Sequence, residues 1–212
     1  MKLLAYEVDK RPFLGIFNED ETWVYPISAA GMEYRSMKDL IREAGPSEME
    51  MLDYISKKAP GDVTGAAPVE EIKIVSPIPE PDQDIICLGI NYMDHAEESA
   101  RFQKEEFARP EKAIYFSKRV NRTNDPDGII PSHKNLTNQL DYEAELAVII
   151  KKDAKDVKPE EVKDYIFGYT IMNDVSAREV QTEHKQWYFG KSLDGFTPLG
   201  PCIMTVDSTA FP

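Results

Sequence analysis

The 212-residue chain is 42% hydrophobic and 30% charged, as is usual for a soluble globular protein. Its net charge of −13 excludes nucleic-acid and anionic membrane partners, because such a surface repels phosphate groups. No apolar run approaches the about 20 residues that a membrane span needs, and the first ten residues do not resemble a signal peptide. We therefore expect a cytoplasmic protein.

The first 70 residues show the pattern of a small α/β unit. Short strands are predicted over residues 3–8, 12–17 and 22–27, separated by polar turns. Helices are predicted over 37–44, behind Ser36, and over 48–58, where a capping-box pattern begins at Ser47. These elements predict a first domain over residues 1–70.

A proline-rich segment separates this unit from the rest of the chain. Pro77, Pro79 and Pro81 are incompatible with a helix and favour an extended backbone. We place the boundary between residues 68 and 82. Residues 71–212 then form the second domain.

The second unit alternates predicted strands with a few short helices. Strands are predicted over 84–89, 113–116, 142–150, 166–173 and 202–206, and helices over 94–104, 160–165 and 176–184. A long loop over 119–139 separates two of these strands, and loops of this length are more often functional than not. The fold class predicted is α+β, mostly β. Cys87 and Cys202 lie far apart in apolar segments, which indicates reduced, buried thiols.

Three carboxylates are candidate metal ligands. Glu143 and Glu145 lie on the same face of a predicted strand, whose two faces both become apolar further along. Two carboxylates there would repel each other unless a cation compensates, although both could also sit at a hydrated strand end. Asp174 follows the next strand and is either a third ligand or a helix N-cap. Three carboxylates without paired His or Cys suit Mg²⁺, Mn²⁺ or Ca²⁺.

Five further polar residues could serve a reaction. His95 and Glu98 lie three apart on a predicted helix, where the carboxylate would make the imidazole a better general base, unless both are simply exposed. Lys191 follows a glycine and either contacts an anion or lies in solvent. Arg178 and Gln181 share a helix face, toward the site or on the surface.

Four segments in order carry a family resemblance. They are GINYMDHAEE at 89–98, DYEAELAV at 141–148, GYTIMNDVSAR at 168–178 with Gln181 after it, and GKSLDGFTPLGP at 190–201. Together they resemble the fumarylacetoacetate hydrolase family, especially its bacterial members that act on small 2-oxo acids. The resemblance runs from about residue 84 to 206.

The resemblance implies a fold and a metal site. The family's catalytic domain is a mixed β-roll with few helices, often preceded by a small N-terminal α/β domain, and it is usually a homodimer. Its divalent ion, Mg²⁺ or Mn²⁺ and sometimes Ca²⁺, would be held here by Glu143, Glu145 and Asp174.

The resemblance also implies roles for the other candidates. The family's His–Glu pair falls on His95 and Glu98 in a lid segment, and its active-site lysine falls on Lys191. The substrate-contacting Arg and Gln fall on Arg178 and Gln181. Lys118 matches a position that lines the pocket in some members.

Three functions follow from this site. The first is a metal-dependent hydrolase that cleaves a C–C bond in acylpyruvates or other 1,3-dicarbonyls, with water activated by the His–Glu pair and an enolate stabilised by the metal. The second is a decarboxylase or isomerase of oxaloacetate or hydroxymuconate-type diacids. The third is a non-catalytic module that binds 2-oxo acids.

The chain departs from the family pattern at one end. The family domain continues past the PLGP segment with further strands and a Thr-Gly-Thr-Pro loop that closes the pocket. This chain ends at Pro212 and contains no such loop. We therefore expect the C-terminal part of the family fold to be absent from it.

Overall fold

The computed structural model describes residues 1–90 and 112–206, and all structural statements below concern these residues. The strands are β1 (Lys2–Val8), β2 (Arg11–Phe17), β3 (Trp23–Pro26), β4 (Ala67–Pro68), β5 (Lys73–Val75), β6 (Ile85–Gly89), β7 (Ile114–Lys118), β8 (Leu140–Asp141), β9 (Ala144–Ile150), β10 (Ile166–Asn173), β11 (Ser176–Ala177) and β12 (Leu199–Thr205). The α-helices are α1 (Met37–Glu43), α2 (Pro46–Ser56), α3 (Arg178–Glu183) and α4 (Trp187–Lys191). Short 3₁₀ helices cover Ile27–Ala30, Pro60–Asp62, Val69–Glu71 and Pro159–Tyr165.

One eight-stranded sheet dominates the fold. Its order is β4-β3-β2-β1-β12-β10-β9, and β5 also pairs with β1. Two small two-stranded sheets, β11-β8 and β6-β7, lie beside it. Every named strand pair is antiparallel. The architecture is therefore mostly β with few helices, which confirms the mostly β part of the predicted fold class.

The two N-terminal helices begin where local hydrogen bonds favour it. Ser36 caps α1, because its hydroxyl accepts a hydrogen bond from the Asp39 N–H at 3.2 Å. Helix α2 begins at Pro46, earlier than predicted, and the Glu48 carboxylate accepts the Gly45 N–H at 2.9 Å. The capping carboxylate of α2 is thus Glu48, and the predicted cap at Ser47 is wrong.

One apolar core cluster contains residues of both predicted domains. Leu3, Leu40 and Leu52 are fully buried in it, as is Ile203 of β12, and Phe167 of β10 is 7% exposed there. In addition, β1 pairs directly with β12. The structure therefore does not confirm a separate N-terminal domain, because sheet and core both continue across residues 68–82.

Two predicted helices take other forms. The segment predicted as a helix over 160–165 is the 3₁₀ helix Pro159–Tyr165. The helix predicted over 176–184 begins only at Arg178, because Ser176 and Ala177 pair with β8 as strand β11. The predicted helix over 94–104 lies outside the described residues.

The outer face of the sheet edge is apolar and exposed. Leu146, Val148 and Ile150 of β9 are 52%, 46% and 54% exposed, and Ile171 of β10, opposite Leu146, is 60% exposed. Both faces of this strand are apolar in the sequence, as predicted, but this face is exposed and the other is only partly buried. Strand β9 is the last strand on that side of the sheet.

Among residues 1–90 and 112–206, no helix has the length and apolar character to cross a membrane.

Candidate active site

Glu143 and Asp174 are brought together by the backbone at one end of strands β9 and β10. The Asp174 N–H donates to the Glu143 carbonyl at 2.8 Å, and the Glu143 N–H donates to the Asn173 side chain at 3.1 Å. These contacts fix the start of β9 against the end of β10. Two acidic side chains consequently enter the same small volume.

Lys191 lies between these two carboxylates. Its Nζ donates to Glu143 Oε2 at 2.6 Å and to Asp174 Oδ2 at 2.9 Å. The lysine is the last residue of α4 and is 2% exposed. The alternative that Lys191 is a solvated loop residue is therefore wrong, because its ammonium is buried and hydrogen-bonded to two nearly buried acids.

On each of the two carboxylates, the oxygen that does not contact Lys191 binds a second cation. Lys118, fully buried at the end of β7, donates to Asp174 Oδ1 at 2.7 Å and to the Val175 carbonyl at 3.2 Å. Arg178, at the start of α3, pairs through Nη2 with Glu143 Oε1 at 2.7 Å. Glu143 and Asp174 thus each bind Lys191 through one oxygen and a second cation, Arg178 or Lys118, through the other.

Arg178 is itself held by two further side chains. Its Nε and Nη2 donate to Asp141 Oδ2 at 3.0 and 2.7 Å, and its Nη1 donates to Gln181 Oε1 at 3.0 Å. Arg178 and Gln181 therefore face the site, and the alternative that both are merely surface residues is wrong.

Six charged residues form one alternating row, which we call the charge chain: Asp141, Arg178, Glu143, Lys191, Asp174 and Lys118. Its three acids balance its three bases. Buried charges are tolerated when they are paired and hydrogen-bonded, and this row satisfies that condition. Asp174 is 2% exposed and binds two lysines, whereas the N-cap of α3 is Ala177. The N-cap alternative for Asp174 is wrong.

Burial and ion pairing have opposite effects on the pKa values of Lys118 and Arg178. Burial lowers the pKa of Lys118, although the adjacent Asp174 carboxylate favours the charged form. Burial also opposes the charge of Arg178, but its hydrogen bonds to Asp141 and Glu143 and their negative charges outweigh it and raise its pKa. The guanidinium is therefore a permanent cation at the rim of the site.

An aromatic pair forms the wall next to Lys191. The Lys191 ammonium lies 5.3 Å from the centre of the Phe116 ring, within cation–π distance. Trp187 meets Phe116 edge-on at 5.2 Å between ring centres. A Cβ atom on Gly89 would lie 2.2 Å from Trp187 Cζ3, so only glycine fits beneath the indole. The wall ties the end of β6 to helix α4.

Cys87 lies on β6, opposite Phe116 in the strand pair. Burial, and secondarily the Asp174 charge, raises the pKa of the Cys87 thiol to about 12. The thiol is therefore neutral at physiological pH and is no nucleophile.

Reasoning from the sequence did not identify three of the site residues, which are Asp141, Phe116 and Trp187. Asp141 is part of the DYEAEL segment, so the signal was present there. For the two aromatic residues, apolar side chains in a strand and beside a helix are indistinguishable from ordinary core residues.

The structure joins two of the three predicted metal ligands. No group of three His, Cys, Asp or Glu side chains is arranged to hold a metal ion in the part of the chain that the structure describes. Glu145 lies opposite Met172 in the ladder, and its role as third ligand stays a prediction. Glu143 and Asp174 already share one cation through hard oxygen atoms, which is the donor chemistry that Mg²⁺ or Mn²⁺ requires. The donor atoms of these two acids therefore fit such an ion. His95 and Glu98 lie outside the described residues.

Comparison with known proteins assigns this strand-rich fold to a protein family. Residues 84–211 match the family model "Fumarylacetoacetate (FAA) hydrolase C-terminal". The chain belongs to the fumarylacetoacetate hydrolase family.

Individual relatives span hydrolases and a tautomerase. Oxaloacetate tautomerase YisK of Bacillus subtilis is 41% identical over 157 residues, covering 73% of this chain and 51% of that protein. This chain thus spans about half the length of that relative.

Two solved structures share the fold. Fumarylacetoacetate hydrolase from Exiguobacterium antarcticum has a TM-score of 0.77 at 32% identity, over 99% of this chain and 68% of its own. Maleylpyruvate hydrolase from Sphingobium sp. SYK-6, in complex with manganese(II) and pyruvate, has a TM-score of 0.68 at 25% identity, over 100% and 70%.

Proposed function

We propose that this protein is a divalent-metal-dependent enzyme that converts a small 2-oxo acid through its enolate. The observation that carries the proposal is the convergence of Glu143 and Asp174 on one cationic position, occupied by the Lys191 ammonium at 2.6 and 2.9 Å. Two nearly buried acids that share a cation provide the charge that a dication site needs. The family's solved manganese–pyruvate complex supports both the ion and the ligand class.

Glu143, Asp174 and Glu145 are the residues that would hold Mg²⁺ or Mn²⁺, with Ca²⁺ as a third candidate. The ion would supply Lewis-acid polarisation of the oxygens of a 2-oxo acid. Lys191 would add a second positive charge where an enolate oxygen develops. Both charges favour the enolate over the neutral keto form.

Arg178 and Lys118 act mainly on the acids next to them. Four of the five guanidinium N–H groups of Arg178 point at Asp141, Glu143 and Gln181, which leaves one Nη1 hydrogen for a ligand carboxylate. Lys118 is fully buried and bound to Asp174 and the Val175 carbonyl. The substrate contacts of Arg178 and Gln181 belong to this proposal, whereas Lys118 would act through Asp174.

The reaction we favour is keto–enol tautomerisation of oxaloacetate or a similar 2-oxo diacid. The 41% identity to an oxaloacetate tautomerase supports it. A proton leaves the carbon next to the ketone, the electron pair forms the enolate, and a proton then joins the enolate oxygen. His95, backed by Glu98, is proposed as the group that moves this proton.

Hydrolysis of an acylpyruvate is the second candidate. It is supported by the two solved relatives named as hydrolases. Water activated by His95 would attack the acyl carbonyl, the C–C bond would break, and the electron pair would leave as the enolate of pyruvate, which then takes up a proton. The same site without a placed water would release CO₂ from oxaloacetate.

Product analysis by NMR separates these reactions. The chain is incubated with Mg²⁺ and either oxaloacetate or an acylpyruvate, and Asp174→Ala is the matched control. Faster keto–enol exchange at constant mass supports tautomerisation, whereas an acid plus pyruvate supports hydrolysis, and CO₂ plus pyruvate supports decarboxylation. Binding without turnover of either substrate would support the non-catalytic module and contradict the enzymatic proposal.

We also propose that the chain forms a homodimer through the exposed apolar face of β9 and β10. Leu146, Val148, Ile150 and Ile171 are each about half exposed on one sheet face, and contiguous apolar patches of this kind mark interfaces. Leu146→Glu should shift the protein to monomer in analytical ultracentrifugation. Glu160→Lys, on the 3₁₀ helix Pro159–Tyr165, provides a charge-changing surface control. A wild-type protein that sediments as a monomer would contradict the proposal.

A further inference from the structure

We propose that Lys191 and the divalent cation compete for the same two oxygens, so that metal binding displaces the Lys191 ammonium, while Arg178 holds Glu143 in place for the exchange. This inference rests on the proposed metal dependence and deepens it. It concerns Glu143 Oε2 and Asp174 Oδ2, the two oxygens that Lys191 bridges. Arg178 is in this view a positioning residue.

The division of oxygens within the charge chain supports the competition. Glu143 Oε1 is bound by Arg178 and Asp174 Oδ1 by Lys118, each at 2.7 Å. The oxygens bound by Arg178 and Lys118 are therefore fixed. The other two, Glu143 Oε2 and Asp174 Oδ2, both point at one centre. A dication that uses both acids at once would meet them there, where Lys191 now lies.

The two cations cannot occupy this centre together. Oxygen ligands approach Mg²⁺ at about 2.0–2.1 Å, while the Lys191 ammonium already lies 2.6 and 2.9 Å from the same atoms. Two cations at that spacing would repel strongly in a site whose acids are 2–15% exposed. Entry of the metal therefore requires the ammonium to move.

The surroundings of Lys191 indicate what that movement changes. Its ammonium lies over Phe116, and Trp187 packs edge-on against the same ring. Displacement of the ammonium alters the field at this aromatic pair. It also frees a cation for an anionic substrate, so metal would bind first and the 2-oxo acid second.

Calorimetry with Mn²⁺ tests the competition, because we expect opposite changes of Mn²⁺ affinity in two variants. Lys191→Met removes the competitor, and we expect Mn²⁺ affinity to rise at least about tenfold, since a charge-assisted hydrogen-bonded pair is lost from the metal-free state. Arg178→Gln also removes a nearby positive charge, but it releases Glu143, and we expect weaker Mn²⁺ binding. A simple effect of net charge would instead strengthen binding in both variants and would overturn the inference.

Fluorescence provides a second readout that does not need Lys191→Met to fold. The chain contains two tryptophans, so Trp23→Phe leaves Trp187 as the only indole. In this background, Mg²⁺ should shift the Trp187 emission with the same midpoint as calorimetric binding. Metal binding without any change in emission would contradict displacement of Lys191. Absence of metal binding in the wild type would overturn the proposed function as well, so the two failures are distinguishable.

Discussion

The N-terminal core and the charge chain hold this molecule together in opposite ways. Around Leu3, Leu40 and Leu52, apolar side chains from strands and helices are fully buried, and burial itself supplies the stability. At the other end of the sheet, the charge chain runs from the exposed Asp141 to the buried Lys118, and much of the apolar surface of β9 faces outward. The comparison shows that one sheet supports a conventional core at one end and an ionic site at the other.

The difference has an energetic consequence. A missing apolar group leaves a cavity, whereas a missing charge leaves its partners unpaired in a dry site. The core should therefore govern stability without affecting ligand binding, and the charge chain should govern both. The following experiments test that separation.

The largest effect is expected for Asp174→Ala. This change leaves the buried Lys118 and Lys191 without a shared carboxylate, so the free energy of unfolding should fall by about 3–5 kcal/mol and Mn²⁺ binding should be lost. Urea unfolding and calorimetry measure the two effects. Asp53→Ala is the matched control, since its pair with Lys57 is exposed. Equal losses in both variants would contradict a special role for the charge chain.

Leu40→Ala tests the other end of the sheet. Leu40 is fully buried in α1, and its truncation should cost about 2–4 kcal/mol through lost burial and a cavity. Mn²⁺ affinity measured on the folded variant should remain unchanged. A drop in metal affinity would show that the two regions are energetically coupled.

A smaller effect is expected for Gly89→Ala at the aromatic wall. The added methyl would meet Trp187 Cζ3 at 2.2 Å, so the indole must shift at a cost of about 1–3 kcal/mol. Thermal unfolding and Trp187 fluorescence both report the change. Gly61→Ala is the control, because nothing lies within 4 Å of its added Cβ. If both glycine variants behave like the wild type, the wall is more adaptable than the packing indicates.

The smallest effect concerns a hydrogen bond in the N-terminal region. The Tyr34 hydroxyl donates to Glu48 at 2.6 Å, which lowers the pKa of Glu48 below 4.5 and raises that of Tyr34 to about 12. Because the folded pKa of Glu48 is depressed, its contribution to stability is present above 4.5 and is lost as the pH falls through the folded value. Tyr34→Phe should therefore weaken the loss of stability in acid, measured as melting temperature against pH. An unchanged acid limb would contradict this assignment.

Most strands were predictable, because neighbouring residues in the sequence determine where an apolar run begins and where a polar turn ends it. The short apolar runs over 3–8 and 12–17 and the polar turn between them correspond closely to β1 and β2. Ser36 likewise identified the start of α1. Strand β11 was less predictable, since Ser176 and Ala177 form a strand only through their pairing with the distant β8.

The candidate site was predictable in its residues and not in its connections. Glu143, Asp174, Lys191, Arg178 and Lys118 were all expected to contribute, and all five meet in the structure. The sequence could not show that Lys191 bridges the two acids, because that contact joins residues 48 and 17 positions apart. Such pairings depend on how strands and helices pack in three dimensions.

The pairing of β1 with β12 also bears on the order in which the chain folds. Lys2 lies opposite Met204, and the Thr205 N–H donates to the Met1 carbonyl at 3.0 Å. Few contacts in a protein of this size bridge a longer stretch of chain, and such high contact order slows folding. During synthesis, β2 covers one edge of β1 and β5 covers Ala5–Glu7 on the other, but Lys2 and Leu3 lack their strand partner until residues 199–205 leave the ribosome. This edge of β1 is therefore completed only after β12 is made, and an unpaired strand edge is a place where chains can associate.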